Sequence, residues 1–423
     1  MLSQIRWLLR RTLRQTWVRV VSFAILAIAT VVATRLLGPL IPASWAERIG
    51  ADAVDQVLGI LASSMLAVTT FSLSVAVSAF AAAASNATPR ATRLLQEDRT
   101  TQNVLATFLG AFIFGLVGII LLKAGYFGDG GVLVLYVATV VVVALVVAAL
   151  LRWISHLMSF GRMGDTLDRV ERATSDALQT RLAMPYLGGR PWTAPLPEVI
   201  APLQSAEVGY VQHVDMSALQ DVAARLGCSL WIEAMPGQFV HHASPLLHAP
   251  LEEIPEEEAE ALRGAFTCAN ERTFDQDPRF GVMVLAEIAS RALSPAVNDP
   301  GTAISVLSRL VRVLSAWREP MTPDVQYPAL FVRPLNAADL MVEGFRSIAR
   351  DGGGMVEVQC GLQEALAGLA ARAPAVLGDA ALAMSAEAIT RADHAGTHAD
   401  DMARIRAAAE FVSRALPEPG AAK

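Results

Sequence analysis

Two groups of polar residues in this 423-residue sequence have the types and spacing that chemistry requires. The first sits inside an apolar run. At about 100° per residue, Ser63, Ala67, Thr70, Ser74, Ser78, Ala81 and Ser85 share one helical stripe about 80° wide, with Leu58, Leu61, Met65 and Ala79 opposite. Small residues and hydroxyls on a membrane helix either let a second helix approach closely and bond across, or line a water path when an oligomer turns them inward. The second group is a pair of motifs, Arg272-Thr273-Phe274-Asp275-Gln276-Asp277 and the run from Arg291 to Ala303. Asn298-Asp299-Pro300-Gly301 is a turn by composition, and Asn298 or Asp299 can accept from amides opening a helix near Thr302. Either these residues cap and turn the chain, or Arg272, Asp277, Ser294, Asn298, Asp299 and Thr302 form a polar pocket around the apolar helix Phe280–Ala289.

Other chemistry is not spelled out. There is no GxxxxGK[ST] phosphate loop, no GxSxG elbow and no HExxH pair. His394 and His398 share a helical face near Asp400 and Asp401, and His241, His242, His248 and His213 lie near other polar groups, yet none completes a metal-ligand spacing. Cys228, Cys268 and Cys360 are widely spaced and read as free thiols in a reducing compartment. The sequence assigns no catalytic residue, metal or cofactor.

The elements that must carry these residues are membrane helices and a solvated domain. Hydrophobic residues make up 53% and charged ones 17%, and mean hydropathy is +0.42. Residues 1–160 hold 12 Lys and Arg against 6 Asp and Glu, and the remainder 22 against 34. A basic, apolar first part followed by an acidic one argues for an anchored domain and against nucleic acid, whose phosphates an acidic surface repels. Four stretches reach spanning length: Val18–Leu37, Val57–Ala84, Val104–Leu122 and Val132–Leu151. Arginines alternate around them. Arg6, Arg10, Arg11, Arg14 and Arg19 precede the first span; Arg90, Arg93 and Arg99 fill the second loop; Arg152, Arg162, Arg169 and Arg172 follow the fourth. The first and third loops are poor in them, so both termini are expected in the cytoplasm. Ile5, Leu9 and Leu13 face away from Arg6, Arg10 and Arg14, the pattern of an amphipathic helix on the anionic inner leaflet.

The expected organisation is an amphipathic helix over 1–16, a four-helix membrane domain over 17–160, a helical stalk and Pro-rich linker over 161–204, and a cytosolic domain over 205–423. The fold class is therefore membrane all-α followed by an α+β domain, mostly helical with a small sheet. Pro89 suits the first turn of a short helix in the second loop, which would carry Arg90 and Asp98 toward the soluble part. Strands are expected at Gly209–Val214, Ser229–Ala234, Gln238–Val240 and Ala329–Val332, and a helix at Ser217–Leu226. From Glu257 to Trp317 the signal is helical, with closing helices at Ala337–Arg350, Met355–Ala373 and Asp379–Leu416.

Ser85–Arg90, Gly209-Tyr210-Val211-Gln212, Gly237-Gln238-Phe239-Val240, Arg272–Asp277 and above all Ala292-Leu293-Ser294-Pro295 followed by Asn298-Asp299-Pro300 resemble a family of bacterial membrane proteins, domain of unknown function 2254. Where members carry Ser-Pro-Arg, this chain has Thr88-Pro89-Arg90. The resemblance implies an N-terminal membrane part and a C-terminal cytosolic part, and no activity. The expected protein is integral to the bacterial inner membrane, in contact with the lipid bilayer. Its first functional reading is a homo-oligomeric channel or transport-related protein for an ion or small ligand, gated by the cytosolic domain. The alternative is a membrane-tethered scaffold or sensor that recruits a cytosolic protein.

Overall fold

The computed structural model describes residues 51–96, 98–126, 129–158, 160–320 and 322–416, with Val21, Ile25 and Ala29, which are helical. The amphipathic helix over 1–16 and, apart from those three residues, the span Val18–Leu37 lie outside the described residues. Contacts divide the chain into two compact units, with the boundary between Thr166 and Leu167.

In the first unit, α1 (Ala51–Asn86), α3 (Arg99–Lys123) and α4 (Asp129–Leu157) are long helices, and α2 (Pro89–Gln96) is a short one between the first two. Three helices among the described residues are long and apolar enough to cross a membrane: Ala51–Ser85, Arg99–Lys123 and Gly131–Leu157. Apolar runs of this length have no external partner for backbone amides in lipid, so helix is the form that satisfies them. The 36 residues of α1 extend about 54 Å, well beyond a hydrocarbon core of about 30 Å. Pro89 opens α2, where its missing N–H costs nothing.

α3 packs against both α1 and α4. Its small residues allow this: a β-carbon on Gly115 would stand 3.2 Å from Ala62 Cβ and from the Leu58 carbonyl, and one on Gly118 would stand 3.1 Å from Leu58 Cδ1. The core of the unit gathers Leu58, Leu61 and Met65 of α1 with Phe108 and Phe114 of α3 and Leu135 of α4.

The second unit opens with α5 (Met163–Ala183), which begins just before the boundary. Glu171 and Asp168 on α5 bind Arg309 and Arg312 of α9 (Pro300–Leu314), so the segment expected as a stalk is held against the body of the unit. A five-stranded sheet has the order β1-β8-β4-β6-β2 and a three-stranded one the order β5-β3-β7. The strands are β1 (Arg190–Pro191), β2 (Ala201–Gln204), β3 (Gly209–Val214), β4 (Leu230–Ile232), β5 (Phe239–Val240), β6 (Pro245–Ala249), β7 (Phe266–Ala269) and β8 (Leu330–Val332). β8 runs parallel to β1 and β4, and the other pairs are antiparallel. α6 (Met216–Leu226) and α7 (Glu256–Gly264) add their apolar faces to the core of the sheets.

The rest is helical: α8 (Pro278–Ala292), α9, α10 (Ala337–Asp351), α11 (Val356–Arg372), α12 (Asp379–His394) and α13 (Ala399–Arg414). α9 shows why. Ala303, Val306, Leu307, Leu310, Val313 and Leu314 recur at helical spacing and are all buried, each large one contributing about 1.5–3 kcal/mol. The helix expected over Asp379–Leu416 is two, because Gly396 takes a φ of +74° and turns the chain.

Candidate functional site

The stripe on α1 points out of the unit. Ser63, Ala67, Thr70, Ser74, Ser78 and Ser85 are all exposed, whereas Leu58, Leu61 and Met65 on the opposite face are buried. Each hydroxyl bonds back along its own helix: Ser63 to the Gly59 carbonyl (2.8 Å), Thr70 to Leu66 (3.0 Å), Ser74 to Thr70 (3.0 Å), Ser78 to Ser74 (2.9 Å) and Ser85 to Ala82 (2.8 Å). The oxygens keep a free acceptor lone pair while their protons are satisfied, so the face is polar without being costly. Bulky apolar residues flank it, Leu66, Leu73 and Val77 on one side and Phe71 on the other, each at least half exposed. Close packing inside the described unit is done by the glycines of α3.

A polar knot ties α3 to α4. Asp98 caps α3, accepting from the Thr101 amide (2.7 Å) and hydroxyl (2.8 Å), and its Oδ2 lies 3.0 Å from His156 Nε2. Asp98 is buried and His156 part-buried, and the His156 ring rests 4.8 Å from Phe160. Asp98 is thus a structural tie, while Arg90 is exposed at the start of α2. Sequence reasoning passed over His156. Its signal was an aromatic face at helical spacing, Trp153, His156 and Phe160.

In the second unit the two motifs stand at opposite ends of α8. Asp277 caps its start and the Asp299 amide bonds to the Ala292 carbonyl at its finish (2.8 Å). Fifteen residues, about 22 Å, separate them, so the structure does not gather them into one pocket. At the first end, Arg272 grips Asp277 at 2.8 Å and lies over the Phe280 ring. The turn at Gly237 abuts the same carboxylate. Gln212 Nε2 donates to the Glu271 carbonyl (2.7 Å), and the Val214 amide donates to Gln276 (3.3 Å). The Gly209–Gln212, Gly237–Val240 and Arg272–Asp277 segments therefore form one polar junction, with Gln212 and Asp277 buried in it. Desolvation dominates there and pushes the Asp277 carboxyl up against the pull of Arg272.

At the far end, Asp299 caps α9, accepting from the Thr302 amide (3.0 Å) and hydroxyl (2.6 Å). These two bonds hold its carboxyl below the usual range. Ser294 donates to the Arg291 carbonyl (2.7 Å), and Asn298 takes a φ of 50°, which asparagine tolerates. This end is an exposed cap and turn. His394 lies in the last turn of α12 and His398 caps α13, so they share no helical face. Among the described residues no three His, Cys, Asp or Glu side chains converge as a metal site needs.

The second unit also holds a cleft of about 860 Å³ beside the edge of the larger sheet, walled by Tyr186, Trp192, Trp317, Arg333 and the start of α10. Its residues are scattered from 186 to 376, so no local motif announced them.

The family model described as "Predicted membrane protein (DUF2254)" matches residues 14–368. Uncharacterised proteins of Mycobacterium tuberculosis and Mycobacterium bovis are each 30% identical over 283 residues, 63% of this chain and 53% of theirs. The chain thus spans about half the length of the curated relatives it matches. No solved structure matches it. With its family motifs placed and its apolar helices of spanning length, the chain is a membrane protein that belongs to the DUF2254 family.

Proposed function

We propose that the protein is a homo-oligomeric channel or transport-related protein of the bacterial inner membrane, in which α1 presents its hydroxyl stripe to neighbouring copies and to the conduction path. The observation that carries this reading is the outward direction of the stripe. A face of self-bonded hydroxyls between bulky apolar flanks suits contact with another helix or with a polar solute far better than contact with lipid alone. Both termini and the second unit are cytoplasmic in this reading, supported by the arginines at Arg90, Arg93, Arg152 and Arg162. The acidic second unit then acts as the gate or sensor.

Flux in liposomes tests the reading. Reconstituted protein should pass a small ion or solute, and Ser74→Leu or Ser78→Leu should lower that flux at least about tenfold, because a bulky apolar side chain would enter the path. Silence across varied voltage, pH and solutes would overturn transport. Co-purification of a cytosolic protein alongside silence would favour the tethered scaffold.

A further inference from the structure

The cleft in the second unit has the chemistry of a ligand site, and it stands independently of transport. Its shape begins with a strained turn. After α5, Tyr186 and Leu187 both adopt φ of 55° and Gly188 a φ of +82°. Side-chain-bearing residues rarely adopt this region, and here the turn brings Tyr186 to the cleft wall. The next strand, β1, pairs with β8 and sets Trp192 beside it, the Trp192 amide donating to the Val332 carbonyl (2.9 Å). Arg333 leaves β8 with its guanidinium 4.4 Å from the centre of the Trp192 ring. Trp317, beyond α9, supplies another aromatic wall.

Arg333, Asn336 and Asp339 are polar residues of the lining, and one lining side chain has a donor without an acceptor. Trp317 is 4% exposed, and its indole N–H is enclosed without a hydrogen-bond partner. An enclosed donor left unpaired destabilises the fold until an acceptor reaches it. The first turn of α10 also opens onto the cleft at Asn336 and Ala337, and the Asn336 side chain caps only the Ala338 amide. A helix start with free amides favours negative charge. Arg333 shares one nitrogen with Glu233 at 2.8 Å and retains other donors. Asp339, the one carboxylate among the described lining residues, is held by Arg279 at 3.3 Å. Close by in sequence, Arg181 on the last turn of α5 is 6% exposed with no carboxylate on it, and burial pulls its guanidinium down to about 10.

We propose that this cleft binds a small organic anion carrying a flat ring, the ring lying among Tyr186, Trp192 and Trp317 and the anionic oxygens accepting from the Trp317 indole, Arg333 and the α10 amides. Its volume falls within the range of small-molecule sites. A neutral ring would leave the donors unmet, and an inorganic anion would leave the aromatic walls bare.

The test is calorimetric titration of the full-length protein in nanodiscs with three ring-bearing anions, adenosine monophosphate, phenyl phosphate and 2-naphthoate, beside adenosine and inorganic phosphate. At least one ring-bearing anion should bind with Kd below about 1 mM, with adenosine and inorganic phosphate at least about tenfold weaker. Trp317→Phe keeps a ring and removes the donor, and Arg333→Gln removes the cation; each should weaken that binding about tenfold at an unchanged Tm. The proposal is overturned if none of the three anions binds at about 10 mM, if adenosine binds as tightly, or if both variants bind like the parent. Because binding is read without flux, its failure is distinguishable from the failure of transport.

Discussion

Gly237 leaves no room for a side chain against Asp277. A β-carbon there would overlap the Asp277 carboxylate, which Arg272 and the Phe280 amide already hold in place. The glycine also has a φ of +90° and donates its amide to the Val211 carbonyl (2.8 Å). Gly237→Ala should therefore cost twice, in backbone strain and in displacement of a buried ion pair, about 2–4 kcal/mol together. Gly227, with φ +65° and open space around it, isolates the backbone part, about 1 kcal/mol. Thermal unfolding of the two variants compares them, and equal losses would refute the relationship.

Gly281 makes a similar contact between helices. A β-carbon on it would run into the Thr174 side chain of α5. Gly281→Ala should destabilise by about 1–3 kcal/mol through overpacking. Thr174→Ala clears the hydroxyl and methyl but not its own Cβ, so Gly281→Ala should cost about 1 kcal/mol less in that background. A double-mutant cycle in urea measures this coupling, and strict additivity would show that the helices do not meet there.

How much of this was legible in the sequence depended on how local each cause is. The strand at Gly209–Val214, the helix from Met216 and the caps at Asp277 and Asp299 follow from periodicity and cap chemistry within a dozen residues. The membrane helices α1, α3 and α4 announced themselves by length and composition. β1 and β2 were hidden in a Pro-rich run that reads as linker. β1 has only two paired residues, whose ladder partners in β8 lie about 140 positions away. β7, four residues between helical segments, was swallowed by its neighbours. The outward face of the α1 stripe needed α3: both faces of the helical wheel were legible, but only the glycines of α3 decide which one is buried. The cleft needed the whole fold, because Trp192, Trp317 and Arg333 come together only when β8 pairs with β1.

His213 should give the second unit an acid-side instability. It is 9% exposed, and burial lowers its imidazolium from the ordinary 6.5, with Asp215 and Asp275 opposing. A histidine lowered on folding binds fewer protons folded than unfolded between its two values. Stability is then fully present above 6.5 and falls as pH drops from there toward the folded value. Unfolding midpoints taken from about pH 7 to pH 5 should decline in the parent and decline less in His213→Gln. Parallel slopes would remove His213 as a cause.

Asp98 serves both as a cap and as the partner of His156, and two substitutions separate the roles. Asp98→Asn retains an acceptor for the Thr101 amide and loses the charge facing His156; Asp98→Ala loses both. Losing an N-cap alone costs about 1 kcal/mol, and removing the Asp98 carboxylate from the part-buried His156 adds about 1 kcal/mol. Unfolding in detergent should rank the parent above Asp98→Asn, and that above Asp98→Ala. Equal stability of all three would mean that the α3–α4 tie holds nothing.

Disulfide trapping distinguishes the two faces of α1 without any assumption about what is transported. Native Cys228, Cys268 and Cys360 are first replaced by serine, so that any cross-link reports the new thiol. Ser74 lies on the exposed stripe, while Ala76, two residues on, is fully buried against the unit's own core. Two copies of a residue cross-link only when their Cα atoms come within about 7 Å of each other, a separation that a lipid-facing residue reaches only by chance collision. In membranes treated with a mild oxidant, Ser74→Cys or Ser78→Cys should form dimers within minutes and Ala76→Cys should not. Val140→Cys, half exposed on α4 instead of α1, sets the collision background. If the stripe positions cross-link no faster than Val140→Cys, the hydroxyl face does not meet a second copy, and a conduction path built around it falls with that contact.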